Sequence, residues 1–362
     1  MNVQKKALVT GVLLSVCIFI HFYSSDNARV ENGYSTNVYP VLGSTFRFLF
    51  GWVSFSVGDI LWGIVVFIIA RQLFLIIRFL VVKKRRILTE ERVIHICYSW
   101  FNSLAVVYMF FNLFWGINYN RQGIAKQLNL EIDAYAIKEL KDMNALLVRK
   151  VNGAKQQLIS NKTPYPDTKA LFVMTEKAFK KLSEKYSFML YKPRSLKASL
   201  WGWLGNYAGF LGYYNPATGE AQVNTTVPKF TQPFTACHEV AHQLGYAKEM
   251  EANFVGYLAA AASEDAVFHY SVYTDLFTYA NRTLYYADSS AALEYRKLLL
   301  PAVISDFKER RKFNLDHTSF LEPIFRSIYS IFLQSNQQPM GMLSYDEVTG
   351  FIIAYYKKFG II

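Results

Sequence analysis

Cysteine is scarce in this chain of 362 residues: there are three, and none stands at a spacing that indicates a pair. Cys17 and Cys97 fall in apolar runs, and Cys237 is expected to pack inside a helix. A disulfide-built scaffold is therefore excluded, and cysteine usage does not tell the redox compartment.

Acidic residues are also few. The chain has 27 Asp and Glu against 39 Lys and Arg, a formal net charge of +12. No nucleic-acid-binding motif accompanies this charge, so we predict no nucleic-acid partner. A solvated surface and anionic lipid headgroups explain the positive charge more simply.

Internal repeats and low-complexity tracts are absent from the sequence as well.

Apolar residues, by contrast, make up 52% of the chain and aromatic residues 17%, which favours a membrane protein. Three apolar runs predict membrane-spanning helices, and Ser56 is placed to cap the second. The first run could instead be a signal peptide, but no convincing cleavage site follows it. Residues 24–55 are expected to form a polar and aromatic linker. The predicted spans are residues 7–23, 57–82 and 93–117.

Basic residues predict the orientation of these spans. Residues 83–86 (KKRR) lie between the second and third spans, and Lys5 and Lys6 precede the first. By the positive-inside rule both groups are cytoplasmic. The lipid bilayer is then a partner, residues 1–117 are the membrane anchor and residues 118–362 are an extracytoplasmic domain. In a two-membrane bacterium this is an inner-membrane protein with a periplasmic domain.

Periodicity within residues 118–362 predicts a mainly α fold with a small β-sheet, that is, an α+β domain. Apolar residues at helical spacing indicate two helices, and further helices follow the last strand. Between them, two strands joined by a turn form a predicted hairpin. The predicted helices are residues 133–158, 167–186, 271–286, 290–312, 320–334 and 344–359, and the strands are residues 208–214 and 220–226.

The stretch from Thr235 to Asn253 contains the pattern H-E-x-x-H at His238, Glu239 and His242. Residues four apart lie on one face of a helix, so the two imidazoles can bind one metal ion. Glu239 lies one step round the helix, where a carboxylate can act as general base on a water at the metal. A catalytic zinc normally has a third protein ligand.

Glu249 is the best candidate for that third ligand. If the helix continued, Glu249 would sit roughly 10 Å beyond His242 at about 1.5 Å per residue, too far to share an ion. The chain must therefore reverse, and Gly245 is the residue at which a helix can end in a left-handed conformation. A second helix starting near Lys248 would bring Glu249 back to the metal.

Two further residues of this second helix, Asn253 and Glu251, are expected to have different roles. Asn253 lies one turn beyond Glu249 and is placed to hydrogen-bond a metal ligand. Glu251 points elsewhere on the helix and is the weaker ligand candidate. The apolar run of residues 254–262 is too short to span a bilayer, which argues against an intramembrane protease.

H-E-x-x-H followed by E-x-E-A-N resembles the gluzincins, the glutamate-liganded branch of the zinc metallopeptidases. The resemblance implies a zincin-like domain with Glu249 as third zinc ligand and Asn253 beside it. The wider pattern looks like a family of bacterial membrane-anchored zincins of unknown function. Its traits cover most of the chain and include residues 115–121 (WGINYNR), 212–220 (GYYNPATGE) and 233–238 (PFTACH).

We therefore expect a membrane-anchored zinc metallopeptidase acting on a protein or peptide, with Zn²⁺ held by His238, His242 and Glu249 and with Glu239 as general base. The alternatives are a non-catalytic zincin-like binding or sensory protein, favoured less because Glu239 is intact, and a membrane scaffold. Tyr213 and Tyr214 are both candidates for stabilising an oxyanion, and the sequence does not choose between them. It also leaves the substrate and the oligomeric state open.

Overall fold

The structure is a computed structural model that describes residues 3–81 and 89–362. It is mainly helical with one three-stranded sheet, as the sequence predicted. Short 3₁₀ segments and one π-helix, Val30–Val38, connect the elements. The α-helices are α1 (Val3–Ser24), α2 (Asn27–Arg29), α3 (Tyr39–Gly51), α4 (Val57–Val81), α5 (Glu90–Phe114), α6 (Gly123–Gln127), α7 (Ile137–Ser160), α8 (Thr168–Lys185), α9 (Gly202–Ala208), α10 (Gln232–Gln243), α11 (Glu249–Ala262), α12 (Ala266–Ala287), α13 (Ser289–Lys297), α14 (Pro301–Asp316), α15 (Leu321–Ser335) and α16 (Val348–Phe359).

Among the described residues three helices are long and apolar enough to cross a membrane, at Gln4–Ser24, Val57–Arg78 and Val93–Phe114. Membrane association is thus supported by length and composition. Within the anchor, α1 and α5 run parallel, since Lys6 Nζ lies 3.0 Å from Ser99 Oγ and Thr10 Oγ1 donates to Asn102 Oδ1 at 2.7 Å. The basic residues 83–86, which carry the orientation prediction, lie outside the described residues.

The segment expected to be a linker, residues 24–55, is mostly helical. It contains α2, the π-helix and α3, and several of its side chains are buried against the rest of the protein. Tyr39 packs its ring 5.7 Å from that of Trp115, and Tyr34 donates a hydrogen bond to the Leu113 carbonyl. The mixed composition of this segment is consistent with these contacts, since its aromatic side chains pack against other rings and its polar side chains form hydrogen bonds.

The sheet has the strand order β1-β3-β2, with β1 at Leu196–Ala198, β2 at Gly212–Asn215 and β3 at Glu220–Val223. The predicted hairpin is confirmed by antiparallel pairing of β2 with β3, in which Tyr213 is opposite Gln222. The first strand of the hairpin is shorter than predicted, because the chain is helical up to Ala208 and turns at Gly209 with φ +81°. The parallel strand β1 was not predicted; three residues are too few to show a period.

In the domain core α10 and α11 pack against each other and against α8 and α12, and α12 packs in turn against α7. Gly256 allows the close approach of α10 and α11, since a Cβ there would lie 3.0 Å from the His238 backbone nitrogen.

The prediction of a single helix over residues 290–312 is wrong in one respect: the segment is divided into α13 and α14, and the second helix begins at Pro301 after Leu300. Proline lacks an N–H and is favoured in the first turn of a helix, so the second helix begins there.

The domain also caps helix α4, which contains the second candidate span. Ser56 accepts a hydrogen bond from the Asp59 backbone nitrogen at 3.0 Å, which confirms it as the N-cap. The carboxylate of Glu220, from β3, accepts from the backbone nitrogens of Val57 at 3.1 Å and Gly58 at 2.5 Å. An anion at a helix N-terminus is favoured by the unpaired N–H groups and the helix dipole. The sheet is therefore joined to the start of a membrane span.

We predict that Glu220→Ala lowers the free energy of unfolding by about 1–2 kcal/mol, because two helix N–H groups lose their acceptor. Urea denaturation of the full-length protein in detergent measures this. Glu294→Ala, which removes an exposed carboxylate paired with Lys297, is the control and should change stability by less than about 0.5 kcal/mol. Equal effects of the two variants would contradict the cap.

Candidate metal centre

Helix α10 carries the H-E-x-x-H pattern in a fully buried setting. Pro233 is in its first turn, as predicted, and every residue from Gln232 to Gln243 is buried. His238 and His242 lie one turn apart, with their rings 4.7 Å apart and at 90°. A helix buried on all sides places both imidazoles in an environment from which bulk water is excluded.

The chain reverses at Gly245, as the spacing of the motif predicted. Gly245 has φ +92°, and its nitrogen donates to the His242 carbonyl at 2.8 Å while that of Tyr246 donates to Ala241 at 3.2 Å. This is a left-handed helix ending that favours glycine. A Cβ here would also lie 2.8 Å from the Tyr39 ring. Helix α11 then begins at Glu249, whose backbone nitrogen donates to Gln338 Oε1 at 2.8 Å.

The reversal brings three donor atoms together. His238 Nε2 lies 3.1 Å from His242 Nε2 and 3.2 Å from Glu249 Oε2, and the third separation, from His242 Nε2 to Glu249 Oε2, is 3.6 Å. Ligands at roughly 2.0–2.1 Å from a tetrahedral ion are about 3.3 Å apart. The three atoms thus form one triangular face around a position that a metal ion fits.

The opposite ring nitrogens orient both imidazoles. His242 Nδ1 lies 2.7 Å from the Tyr246 carbonyl, which only accepts hydrogen bonds, so Nδ1 carries the proton and a neutral ring turns its Nε2 lone pair to the cluster. His238 Nδ1 lies 2.8 Å from Asn253 Oδ1. Asn253 Nδ2 reaches the Tyr345 carbonyl at 3.4 Å, which keeps Oδ1 toward the histidine. Such contacts hold metal ligands in place.

Glu249 supplies the negative charge of the cluster. Its Oε1 accepts from the Tyr329 hydroxyl at 2.6 Å. Its buried Oε2, the atom nearest both imidazoles, has no hydrogen-bond partner in the part of the chain that the structure describes. Burial raises the pKa of the Glu249 carboxyl, but His242 and His238 outweigh burial and hold it below its ordinary value. A buried carboxylate is stable only beside a cation. A metal ion at this position would satisfy all three donor atoms at once.

Glu239 lies beside the cluster without belonging to it. It is buried, and its Oε2 also has no hydrogen-bond partner within residues 3–81 and 89–362. Burial raises the pKa of its carboxyl to about 7, against the opposing effect of the two imidazoles. Gly212 of β2 makes room for it, since a Cβ there would lie 2.5 Å from Glu239 Oε1. The carboxylate is therefore free of structural hydrogen bonds at Oε2 and can exchange a proton with a bound molecule.

The other candidates are engaged elsewhere. Glu251 points away, as predicted, and its carboxylate lies against the backbone of Gly123. Tyr214 pairs its hydroxyl with that of Tyr39 at 3.0 Å, and Tyr213 donates to Asp59. Two other tyrosines contact the cluster through their side chains. Tyr329 bonds Glu249, and Tyr345 stacks on the His238 ring at 6.2 Å.

Sequence reasoning missed Tyr329 and Tyr345 because they follow the motif by 80 residues or more and carry no local pattern. It also missed two arginines that hold the end of α10. Arg47 Nη1 donates to the Gln243 carbonyl at 2.9 Å, and Arg121 Nη1 donates to the Gly245 carbonyl at 3.1 Å. Cations are favoured at a helix C-terminus, where carbonyls lack partners. Both guanidinium groups thus fix the turn that leads to Glu249.

Arg121 is itself held by Glu31 of the π-helix. Its Nε and Nη2 lie 3.0 and 2.7 Å from the two carboxylate oxygens, and both side chains are almost fully buried. The guanidinium also lies 4.6 Å from the centre of the Tyr246 ring. A bidentate buried pair of this kind is sensitive to the loss of either partner.

We predict that Arg121→Met lowers the free energy of unfolding by about 3–5 kcal/mol, because Glu31 stays buried without a counter-charge. Chemical denaturation in detergent measures the change. The double variant Glu31→Gln with Arg121→Met should be much less affected, and Arg326→Met, at an exposed pair, nearly unaffected. An Arg121→Met variant as stable as Arg326→Met would contradict this role.

Asn253 orients the His238 ring through the contact at Nδ1. Asn253→Ala should weaken metal affinity by about 10–100-fold, because the His238 ring loses the acceptor at Nδ1. Competition of the full-length protein with a chromogenic chelator, using Zn²⁺ and Co²⁺ as probes, measures this. Asn253→Asp keeps the acceptor and is the matched control. An affinity unchanged by the alanine substitution would remove the orienting role.

Comparisons with known proteins add a family but no activity. No curated protein and no solved structure matches the chain. Residues 34–353 match the family described as "Protein of unknown function (DUF3810)". The match runs from the π-helix through two of the three candidate spans among the described residues and the His-His-Glu cluster into α16. The chain is a member of the DUF3810 family.

Proposed function

We propose that this protein is a membrane-anchored, zinc-dependent metallopeptidase. The observation that carries the proposal is the buried cluster of His238, His242 and Glu249 with the unpartnered Glu239 carboxylate beside it. A ligand set of two imidazoles and one carboxylate is typical of the gluzincins, which the motif resembles. The very short link between His242 and Glu249 is where this chain departs from the better-known gluzincins.

Zinc suits these donors. Imidazole nitrogen and carboxylate oxygen are common zinc ligands, and three protein ligands leave a fourth position open for water or substrate. When bound, zinc would supply a Lewis acid that lowers the pKa of water and polarises a carbonyl. The partner-free Oε2 of Glu249 supports the fit, since a buried acceptor without a donor indicates an absent cation.

Glu239 would act as the general base and then the general acid. Its carboxylate would accept a proton from the attacking water and deliver it to the nitrogen that leaves the cleaved amide. A base for this task needs a free oxygen and a pKa near the working pH. Glu239 Oε2 has no structural partner, and burial raises the pKa of the carboxyl.

A peptide is the substrate class that the neighbouring sheet favours. Strand β2 passes Glu239 at Gly212 and, within the described residues, pairs only with β3. Its other edge presents backbone groups that an extended chain can hydrogen-bond, as in other cases of strand addition. Tyr329, which bonds Glu249, and Tyr345, whose ring stacks on that of His238, would position the ligands or the substrate.

Localisation follows from the spans and their predicted orientation. Three candidate membrane helices anchor the chain, and the positive-inside prediction sets residues 118–362 outside the cytoplasm. We propose the inner membrane of a two-membrane bacterium, with peptidase activity directed to the periplasm.

The test is cleavage of a peptide library by the full-length protein in detergent, wild type against Glu239→Gln. The variant should keep stoichiometric zinc and lose activity by about 10²–10⁴-fold, because it loses proton transfer but no ligand. His238→Ala should lose both zinc and activity, as measured by elemental analysis.

Outcomes separate the alternatives. Wild type that binds zinc but cleaves no peptide would favour a binding or sensory protein, and wild type without zinc would favour a scaffold. Activity equal in wild type and Glu239→Gln would remove the proposed mechanism.

A further inference from the structure

Helix α15 is exposed along most of its length, and its outward face is apolar. Of its 15 residues only Leu333 is buried. Four large side chains recur at helical spacing and form the α15 stripe: Phe320 (77% exposed), Ile324 (50%), Ile328 (61%) and Ile331 (64%). Tyr329, on another side of the helix, points inward to Glu249. Its apolar stripe therefore faces away from the protein core.

Water is a poor environment for such a helix. Helices of this length are marginal without burial of an apolar face, and soluble proteins rarely expose a continuous apolar stripe. The α15 stripe therefore requires an apolar environment that covers it. The contacts of the two ends of α15 indicate what that environment is.

The C-terminal half of α15 lies against the end of a membrane span. The Phe332 ring is 6.0 Å from that of Phe111 and 6.1 Å from that of Tyr119. Phe111 belongs to the candidate span Val93–Phe114, one turn before its end. This half of α15 is therefore level with the last turn of α5.

The N-terminal end of α15 is joined to a second span through the segment around α9. Ser319 Oγ donates to the Tyr207 carbonyl at 2.8 Å. Before α9, Trp201 Nε1 donates to the Asp59 carbonyl, and the ring would lie 3.2 Å from a Cβ at Gly63. Gly63 is six residues into α4, about 9 Å along its axis.

The same segment carries exposed aromatic and aliphatic side chains, with Trp203 57% and Leu200 49% exposed. Tryptophan is enriched where a protein meets the headgroup region of a bilayer. Both ends of α15 are thus tied to structures that lie beside the first turns of α4 and the last turn of α5.

We propose that α15 lies on the membrane and that its stripe is covered by the lipid leaflet in which α4 begins and α5 ends. An amphipathic helix at the interface buries its apolar face about 5–10 Å into the headgroup and acyl boundary. Helix α15 contacts the last turn of the candidate span in α5 through Phe332, which favours lipid over a second protein surface as the cover. This assignment does not depend on metal or on peptidase activity.

Hydroxyl-radical footprinting of the unmodified full-length protein tests the proposal, in lipid nanodiscs that hold one copy each. The chain offers matched controls of equal exposure: Tyr286 at 78% for Phe320, and Leu298 at 61% for Ile328. Leu298 packs beside α7, its carbonyl accepting from Asn152. We expect Phe320 and Ile328 to be modified several-fold more slowly than their controls, because lipid excludes the aqueous radical.

Equal modification of Phe320 and Tyr286, and of Ile328 and Leu298, in single-copy discs would overturn the proposal. Protection that appears only in discs holding two copies would assign the stripe to self-association and would overturn it as well. No variant is required, so misfolding does not obscure the result.

Discussion

The reversal of the chain between His242 and Glu249 is the constraint on which the candidate site depends. It requires Gly245 in a left-handed conformation and an end to α10 whose carbonyls lack helical partners. Two guanidinium groups provide those partners, one from α3 and one from the segment after α5. If the reversal failed, the carboxylate and the imidazoles would separate by several ångströms, and no single ion could bind all three.

This arrangement couples the membrane region to the cluster. Arg47 and Glu31 come from the stretch between the first two spans, and Arg121 follows the third. On the other side, Glu220 of the sheet caps the start of α4. The spans are therefore not a detachable anchor: the residues next to them complete the helix end that positions the third ligand.

Local patterns were enough for the parts of the site that lie close together in the chain. The i, i+4 histidines, the glycine that ends α10 and the asparagine one turn into α11 all depend on helix geometry, and each lies where the spacing predicted. The hairpin and the three candidate spans were also predicted from patterns of neighbouring residues, namely a turn between two strands and long apolar runs. Residues 24–55 were expected to be a linker because their polar and aromatic composition is too mixed to span a bilayer. Their helical structure is stabilised by contacts with residues far away in the sequence.

The sequence by itself determined which side chains can share one metal ion, since helix pitch and one glycine decide that within the 12 residues from His238 to Glu249. Only the tertiary structure decided what surrounds them. The side chains that contact α10 and α11 come from positions about 80 to 200 residues away in the sequence: Arg47, Arg121, Tyr329 and Tyr345. A contact that closes so long a loop leaves no periodic pattern in the sequence from which it could be predicted. Tertiary packing likewise decided that α15 turns its apolar stripe outward, because its inward face is taken by the contact with Glu249.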